Sequence, residues 1–219
     1  MFRSLQAFPK QISPRLLQMI TDYIAMPHFL KISEDHAALL SRRDPVYNGS
    51  ISFAQGRTAM IETHPPMTQA IRVLKDKGIP FVIHSYKYEE HGGTGVAARD
   101  LQVDEYRVIK TLVMETDSGT AFIILMHGDK EVSTKTMARV LGVKTVSPCN
   151  PDAANRHTGY MIGGTSPFGT RKPLKIYMEM TIVDLPKIYI NAGKRGLLAE
   201  MSPPDLIKIL SPILVDVAL

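Results

Sequence analysis

The sequence predicts an α+β fold in which helices flank a twisted, mixed and mostly antiparallel sheet. One observation predicts the fold class, and two others exclude a disordered chain and a membrane-spanning helix. Helical and strand patterns are mixed along most of the chain, and a hairpin among them argues against a wholly parallel sheet. The 219 residues are 44% hydrophobic and 21% charged, which is typical of a globular protein. The longest unbroken apolar run, Ala121 to Met126, is far shorter than the roughly 20 residues that a membrane-spanning helix needs.

The first 66 residues differ from the rest and are predicted to form a weakly structured N-terminal extension. They show no sustained alternation or hairpin signal, and His64-Pro65-Pro66 closes the region because prolines cannot continue a helix. Met67 then begins an amphipathic helix that ends at Gly78. We therefore expect an extension, or a misassigned start, over residues 1–66 and one folded domain over residues 67–219.

Within that domain the predicted elements follow one another closely. A hairpin joins two strands through the turn residues Thr116 to Gly119. Ser133, Asn150 and Ser202 are predicted N-caps of three helices, and proline follows the last two. Two shorter helices are expected from Val96 and Asp104. The predicted strands cover residues 81–88, 110–115, 120–126, 160–162, 175–182 and 187–190.

Charge and cysteine content limit the possible environments and partners. Cys149 is the single cysteine, so no internal disulfide can form and a reducing, cytoplasmic location is expected. The net charge of +5 is a mild bias toward anionic partners, without a basic tail. Histidines 84, 91, 127 and 157 lack metal-ligand spacing with one another or with Cys149, so we expect no metal site.

Residues 93–98, Gly-Thr-Gly-Val-Ala-Ala, match a dinucleotide-binding fingerprint on paper, with Glu115 or Asp117 as the distant acid. Two features argue against this interpretation. Asp104 ends the helix too early for a crossover, and the next strand turns into a hairpin. A flexible loop that leads into a helix N-terminus is the better prediction.

Residues 163–169, Gly-Gly-Thr-Ser-Pro-Phe-Gly, are the most informative stretch. Two glycines let the backbone approach a ligand and direct free N–H groups at it, and Pro167 would stiffen the turn. Arg171 and Lys172 follow within reach of a phosphate. An ordinary surface turn explains the same composition equally well, so the assignment needs support from elsewhere.

Two further basic features offer that support. Lys110 interrupts an apolar stretch, where a lysine on the solvent face is the commoner explanation and a fixed positive charge beside a carbonyl or phosphate is the alternative. Residues 191–196, Asn-Ala-Gly-Lys-Arg-Gly, form a second basic turn, which would suit a sugar–phosphate backbone or simply be solvated. Cys149 would need a histidine base to act as a nucleophile, and His157 is only a weak candidate, so a spectator thiol is favoured.

Taken together, four motifs resemble the YbaK/EbsC family, the editing domains associated with prolyl-tRNA synthetase and their free-standing relatives. The resemblance spans residues 67–219 and rests on Lys110-Thr111-Leu112, Thr158-Gly159-Tyr160, residues 163–169 and residues 193–196 in matching order. It implies a compact mixed α/β fold and trans-editing hydrolysis of mischarged aminoacyl-tRNA, in the best-known branch cysteinyl-tRNA(Pro), without metal or other cofactor. Aminoacyl-tRNA, and prolyl-tRNA synthetase as a candidate companion, are the implied partners. The alternative is a non-catalytic module of the same fold that binds tRNA ends or another nucleotide.

The resemblance also implies site residues. Lys110 matches the active-site lysine near the 3′-terminal adenosine and the aminoacyl ester, and residues 163–167 match a loop whose backbone amides bind the aminoacyl group. The expected catalytic groups are Lys110, Gly163 and Gly164. The expected substrate-binding residues are Tyr86, Thr165, Ser166, Pro167, Gly169, Asn191 and Gly193. The expected tRNA-binding residues are Arg171, Lys172, Lys194 and Arg195.

The chain departs from the family pattern at two places. Cysteine-acting members carry Ser-Gly-Gly ahead of Lys-Arg-Gly, where this chain has Asn191-Ala192-Gly193. An acid that some members place just after that turn is Leu198 here. Both changes border the expected pocket, so the identity of the edited amino acid is open.

Overall fold

The computed structural model describes residues 66–219, so the extension predicted over residues 1–66 lies outside the described residues except for Pro66. The boundary at Met67 stays a prediction. The described residues form a mixed sheet of eight strands with five α-helices. The helices are α1 (Gln69–Asp76), α2 (Gly93–Leu101), α3 (Thr134–Leu141), α4 (Pro151–Thr158) and α5 (Pro203–Leu210). The strands are β1 (Val82–Ser85), β2 (Val108–Thr116), β3 (Ala121–His127), β4 (Val146–Pro148), β5 (Lys175–Glu179), β6 (Ile188–Asn191), β7 (Leu197–Met201) and β8 (Ile213–Val215).

The strand order is β1-β7-β6-β2-β3-β5-β8, with β4 beside β2 as a separate branch. The pairs β1–β7, β2–β3, β2–β4 and β6–β7 are antiparallel. The pairs β2–β6, β3–β5 and β5–β8 are parallel. This arrangement confirms the predicted α+β class and the mixed, mostly antiparallel sheet.

The two faces of the sheet carry separate cores because side chains alternate along each strand. On one face, α1 and α5 pack against Ile109, Ile123 and Ile190. On the other face, α3 packs against Met126 and its neighbours at one end, while α2 packs at the other end. The second face is therefore covered at its two ends by different helices, and the middle of β2 lies between them.

The predicted caps are confirmed in detail. The Ser133 hydroxyl accepts a hydrogen bond from the Thr136 N–H, and the Asn150 amide oxygen accepts from Asp152 and Ala153. The Ser202 hydroxyl accepts from the Asp205 N–H at the start of α5. Each cap satisfies a backbone donor that the first helical turn leaves free, which explains why these helix starts could be predicted.

Several strand predictions were wrong in extent. The strand predicted over residues 81–88 pairs only as far as Ser85, and residues 175–182 pair only to Glu179 before a 3₁₀ turn (Met180–Asp184). Residues 160–162, predicted as a strand, lead into a turn instead. β7 was missed because Leu-Leu-Ala-Glu-Met shows no alternation, and pairing on both sides with β1 and β6 overrides its local preference. None of the helices within residues 66–219 has the length and apolar character of a membrane span.

Candidate active site

A gap along one edge of β2 forms the centre of the candidate site. β3 follows the other edge from Ile109 to Glu115. On the open edge, β6 pairs only with Val108 and Ile109, and β4 pairs only from Met114 onward. Residues 110–112 therefore lack a neighbouring strand on this edge, and a cavity of about 520 Å³ lies against them. Six residues expected from the sequence line it: Tyr86, Lys110, Gly163, Thr165, Asn191 and Arg195.

Lys110 is half-buried in the floor of this cavity. Its ammonium group donates a hydrogen bond to the carbonyl oxygen of Lys130, in the turn that follows β3. Burial lowers the pKa of Lys110, and the nearby carboxylates of Glu105, Glu131 and Asp129 partly oppose this. The lysine is thus not on an ordinary solvent-exposed face but is held at the gap in the sheet by one backbone acceptor.

Residues 162–169, called the glycine loop below, border the cavity with their first residues, which form a tight turn. The Gly164 N–H donates to the Met161 carbonyl at 2.9 Å, and Gly163 has φ +82°, as the third residue of a type II turn requires. The Gly164 N–H is therefore already bonded and is not directed at a ligand, contrary to the expectation for both glycines. Within residues 66–219, the N–H groups of Gly163 and Thr165 have no acceptor.

The second basic turn contacts this loop directly. The Asn191 side-chain amide donates to the Gly163 carbonyl at 2.9 Å, and the Arg195 Nε–H donates to the Ile162 carbonyl at 2.8 Å. The structure thus brings together the two turns that the sequence analysis singled out separately. Asn191 also accepts the Gly193 N–H, which fixes the turn from which both side chains project.

The other expected substrate-binding residues lie behind the cavity wall rather than in it. Ser166 and Pro167 are buried, and the Ser166 hydroxyl accepts from the Phe168 N–H. A Cβ on Gly169 would lie 2.9 Å from Gln69 Cγ, and one on Gly193 would lie 2.9 Å from the Tyr160 ring. These glycines allow close approach to α1 and its surroundings, and none of the four lines the cavity.

Of the four expected tRNA-binding cations, only Arg195 lines the cavity. Arg171 and Lys172 are exposed, and their backbone N–H groups donate to Thr158 and His157 at the end of α4. Lys194 is exposed on the turn beside Arg195. The cations therefore lie in two separate places, one at the end of α4 and one at the cavity mouth.

The segment that follows β1 contributes two tyrosines to the cavity lining. Tyr86 lies in the lining, its N–H donates to the Gly196 carbonyl, and burial raises the pKa of its phenol. Tyr88, which the sequence analysis missed as a site residue, also lines the cavity and lies under the Arg195 guanidinium, 5.0 Å from the ring centroid. Its position two residues after Tyr86, on the same face of the predicted strand, was the available signal, but a tyrosine on a strand is not specific for a functional site.

The start of α2 also borders the cavity but is not a free anion site. The Thr94 hydroxyl donates to the Glu105 carboxylate at 2.7 Å, and that carboxylate also lies beside Gly95. Glu105 thus places a negative charge at the helix N-terminus, where a nucleotide phosphate would otherwise bind. This arrangement supports the preference for a loop over a dinucleotide-binding fingerprint.

Cys149 lies in the cavity wall with its thiol against the Glu115 carboxylate, 3.7 Å away. Burial, reinforced by Glu115, raises the pKa of the thiol to about 11. The reactive thiolate is therefore scarce at neutral pH, as expected for a spectator thiol. In residues 66–219 no three His, Cys, Asp or Glu side chains are grouped as metal ligands would be.

Comparison with known proteins places the chain in a family. The sequence profile of the aminoacyl-tRNA editing domain matches residues 92–209, more than half of the chain. The protein therefore belongs to the aminoacyl-tRNA editing domain family. This confirms the resemblance that the four motifs predicted.

Individual relatives agree with this assignment. The chain is 27% identical over 143 residues to the "Putative Cys-tRNA(Pro)/Cys-tRNA(Cys) deacylase EbsC" of Enterococcus faecalis, which covers 65% of this chain and 87% of the relative. It is 31% identical over 67 residues to the proline–tRNA ligase of Syntrophotalea carbinolica, covering 31% of this chain but only 12% of the ligase. A solved structure described as a "putative trans-editing enzyme for prolyl tRNA synthetase" shares the fold, with a TM-score of 0.63, 20% identity, and coverage of 71% of this chain and 99% of that chain.

Proposed function

We propose that this protein hydrolyses mischarged aminoacyl-tRNA in trans, with cysteinyl-tRNA(Pro) as its substrate. The observation that carries the proposal is that Lys110 and Gly163, on separate motifs, line one cavity at a gap in the sheet. Membership of the aminoacyl-tRNA editing domain family supports the reaction class. The similarity to a relative named as a Cys-tRNA(Pro) deacylase supports the substrate.

The reaction breaks the ester bond between the aminoacyl carbonyl carbon and the ribose oxygen at the tRNA 3′ end. When water attacks, the products are the free amino acid and the ribose hydroxyl, which takes up a proton. Negative charge develops on the carbonyl oxygen during attack. We assign this role to the Gly163 N–H and the Lys110 ammonium group, which line the same cavity, and one such donor contributes roughly 10²–10³ in rate.

The raised pKa of the Cys149 thiol supports an attacking group that does not come from the protein. A thiol with a pKa of about 11 is a poor nucleophile at neutral pH. Water is then the final attacker. It acts either on the ester itself, or on the cyclic thioester formed when the substrate's cysteine thiol displaces the ribose oxygen and passes its proton to it; attack by the ribose 2′-hydroxyl alone would only move the ester to the neighbouring oxygen. The protein's contribution is to orient the ester and to stabilise the developing charge.

The wall beside the turn affects the choice of amino acid. Leu198, which stands where some family members carry an acid, is buried and lines the cavity. Ala192 points away into the core and is fully buried. An apolar side chain at Leu198 favours a small, weakly polar aminoacyl side chain such as that of cysteine over one that needs a charged partner.

The test is a deacylation assay on tRNA(Pro) charged separately with Cys, Ala, Ser or Pro, using the full chain. We expect release of cysteine to be fastest, and Lys110→Ala to lower kcat/KM at least about 100-fold because a fixed positive charge is lost. Lys135→Ala, on the exposed side of α3, is the matched control, with thermal unfolding measured for both variants.

Three results would contradict the proposal at different points. Full activity in Lys110→Ala would remove its assigned role. Faster release of another amino acid would change the substrate. Binding of aminoacyl-tRNA by the native protein without turnover would favour the non-catalytic module.

A further inference from the structure

Two side chains of the turn over residues 191–196 donate hydrogen bonds to two consecutive carbonyl groups of the glycine loop. Arg195 Nε–H donates to the Ile162 oxygen and the Asn191 amide donates to the Gly163 oxygen. A peptide unit is planar, so the carbonyl of one residue and the N–H of the next point in opposite, fixed directions. Holding the Ile162 oxygen therefore sets the direction of the Gly163 N–H.

Tyr88 packs against the Arg195 side chain that donates to the Ile162 carbonyl. The guanidinium lies 5.0 Å from the Tyr88 ring centroid, within the range of a cation–π contact. The ring also packs against the loop, since a Cβ on Gly163 would lie 3.0 Å from Tyr88 Oη and 3.4 Å from Arg195 Nε. Tyr88 and Arg195 therefore both lie against Gly163 on one side, although Gly163 itself remains exposed.

Lys194 provides the contrast within the same turn. Both Lys194 and Arg195 are exposed, but among residues 66–219 the Lys194 ammonium group forms no hydrogen bond or ion pair. Two adjacent cations therefore have different surroundings. Arg195 donates to the loop and stacks on an aromatic ring, whereas Lys194 makes neither contact.

We propose that Tyr88, Asn191 and Arg195 form a loop clamp, whose members are positioning residues that orient the Gly163 N–H toward the cavity. Arg195 then acts on the loop rather than as the phosphate contact that its sequence suggested. Lys194 keeps that second role. The kinetic consequences rest on the proposed function, whereas the structural consequence does not.

The chemistry of the two cationic side chains makes the clamp testable. Arginine has a planar group that can stack on a ring and donate through Nε at the same time. Lysine keeps the charge but cannot do both. Arg195→Lys therefore separates a loop clamp from a simple phosphate contact. Tyr88→Leu removes the ring and should have the same effect as Arg195→Lys, whereas Tyr88→Phe retains the ring.

The first measurement uses no substrate. In ¹H–¹⁵N spectra of the full chain, we expect Arg195→Lys and Tyr88→Leu to shift the Gly163 and Gly164 amide resonances and to speed exchange of the Gly164 N–H. Lys194→Met and Tyr88→Phe change atoms near the two glycines, so small shifts are expected there, but both variants should leave the exchange rate of the Gly164 N–H unchanged. Unchanged glycine signals in Arg195→Lys would overturn the clamp.

The second measurement is deacylation of Cys-tRNA(Pro) as a function of salt. We expect Arg195→Lys to lower kcat about 10- to 100-fold, since a misplaced donor costs about that much, with KM and the salt slope preserved. Lys194→Met should instead raise KM and flatten the slope by about one. Wild-type kcat in Arg195→Lys, or a flattened slope there, would overturn the proposal. The native protein could lack deacylase activity while Arg195→Lys still shifts the glycine signals. That result would leave the clamp intact and reject the proposed function.

Discussion

The two halves of the glycine loop perform different physical tasks. The front half, residues 162–165, borders the cavity and is held by polar side chains from another turn. The rear half, residues 166–169, is packed into the core, where Phe168 has no exposed surface and its carbonyl accepts from the Tyr160 hydroxyl at 2.6 Å. One continuous motif thus combines an anchor and a presenting surface. Substitutions in the rear half should act on stability, and substitutions in the front half should act on activity.

The largest effect is expected at the anchor. Phe168→Ala would leave a cavity in the core beside α1, and we expect the free energy of unfolding to fall by about 3–5 kcal/mol. Denaturant unfolding measures this, with Phe168→Leu as a control that keeps most of the volume and should lose less. A loss below about 1 kcal/mol in Phe168→Ala would show that the rear half is not an anchor.

The next effect is expected at Gly169, where backbone and space both exclude a side chain. Its φ is +65°, and a Cβ would lie 2.9 Å from Gln69 Cγ and 3.0 Å from Val73 Cγ2. Gly169→Ala should cost about 2–4 kcal/mol in unfolding free energy, from left-handed strain plus overpacking. Gly142→Ala, with φ +69° and open space, isolates the strain and should cost about 1–2 kcal/mol. Equal losses in the two variants would mean that the contact with α1 adds nothing.

The division of the glycine loop also shows how much of this site could be predicted from the sequence. Lys110, Gly163 and Asn191 were identified from their motifs, and all three line the cavity. Ser166 and Gly169 belong to the same motif but serve the core, and composition alone cannot separate these tasks because glycine suits both a ligand contact and a tight helix approach. Which residues lie together depends on long-range pairing, as the missed strand β7 shows for the fold. Caps and the hairpin were predictable because they are local.

A smaller stability effect with a larger effect on activity is expected at Gly163. Its φ is +82°, and a Cβ there would lie 3.0 Å from the Tyr88 hydroxyl oxygen, so Gly163→Ala should cost about 1–2 kcal/mol but lower kcat about 10- to 100-fold. Gly119→Ala, in the β2–β3 turn with φ +75° and open space, is the matched control and should lose similar stability with native activity. Unfolding curves and deacylation rates on the same samples test this. If the two variants lost activity equally, the front half would have no special role.

The smallest effect is expected at Cys149, which tests whether the cavity acts through its backbone or through a side-chain nucleophile. Its thiol pKa of about 11 lies two units above the ordinary 9.0, so iodoacetamide should modify the native thiol about 100-fold more slowly at pH 8 than an exposed one. Because the folded state holds this proton more tightly than the unfolded state, the contribution of the thiol to stability is complete below pH 9 and declines as the pH rises toward 11.

Cys149→Ala should keep kcat within about twofold, since the thiol takes no part in the attack. A loss of 100-fold or more, with the fold intact, would identify Cys149 as the nucleophile and would reverse the contrast, because a side chain of the wall rather than the peptide groups of the front half would then carry the chemistry.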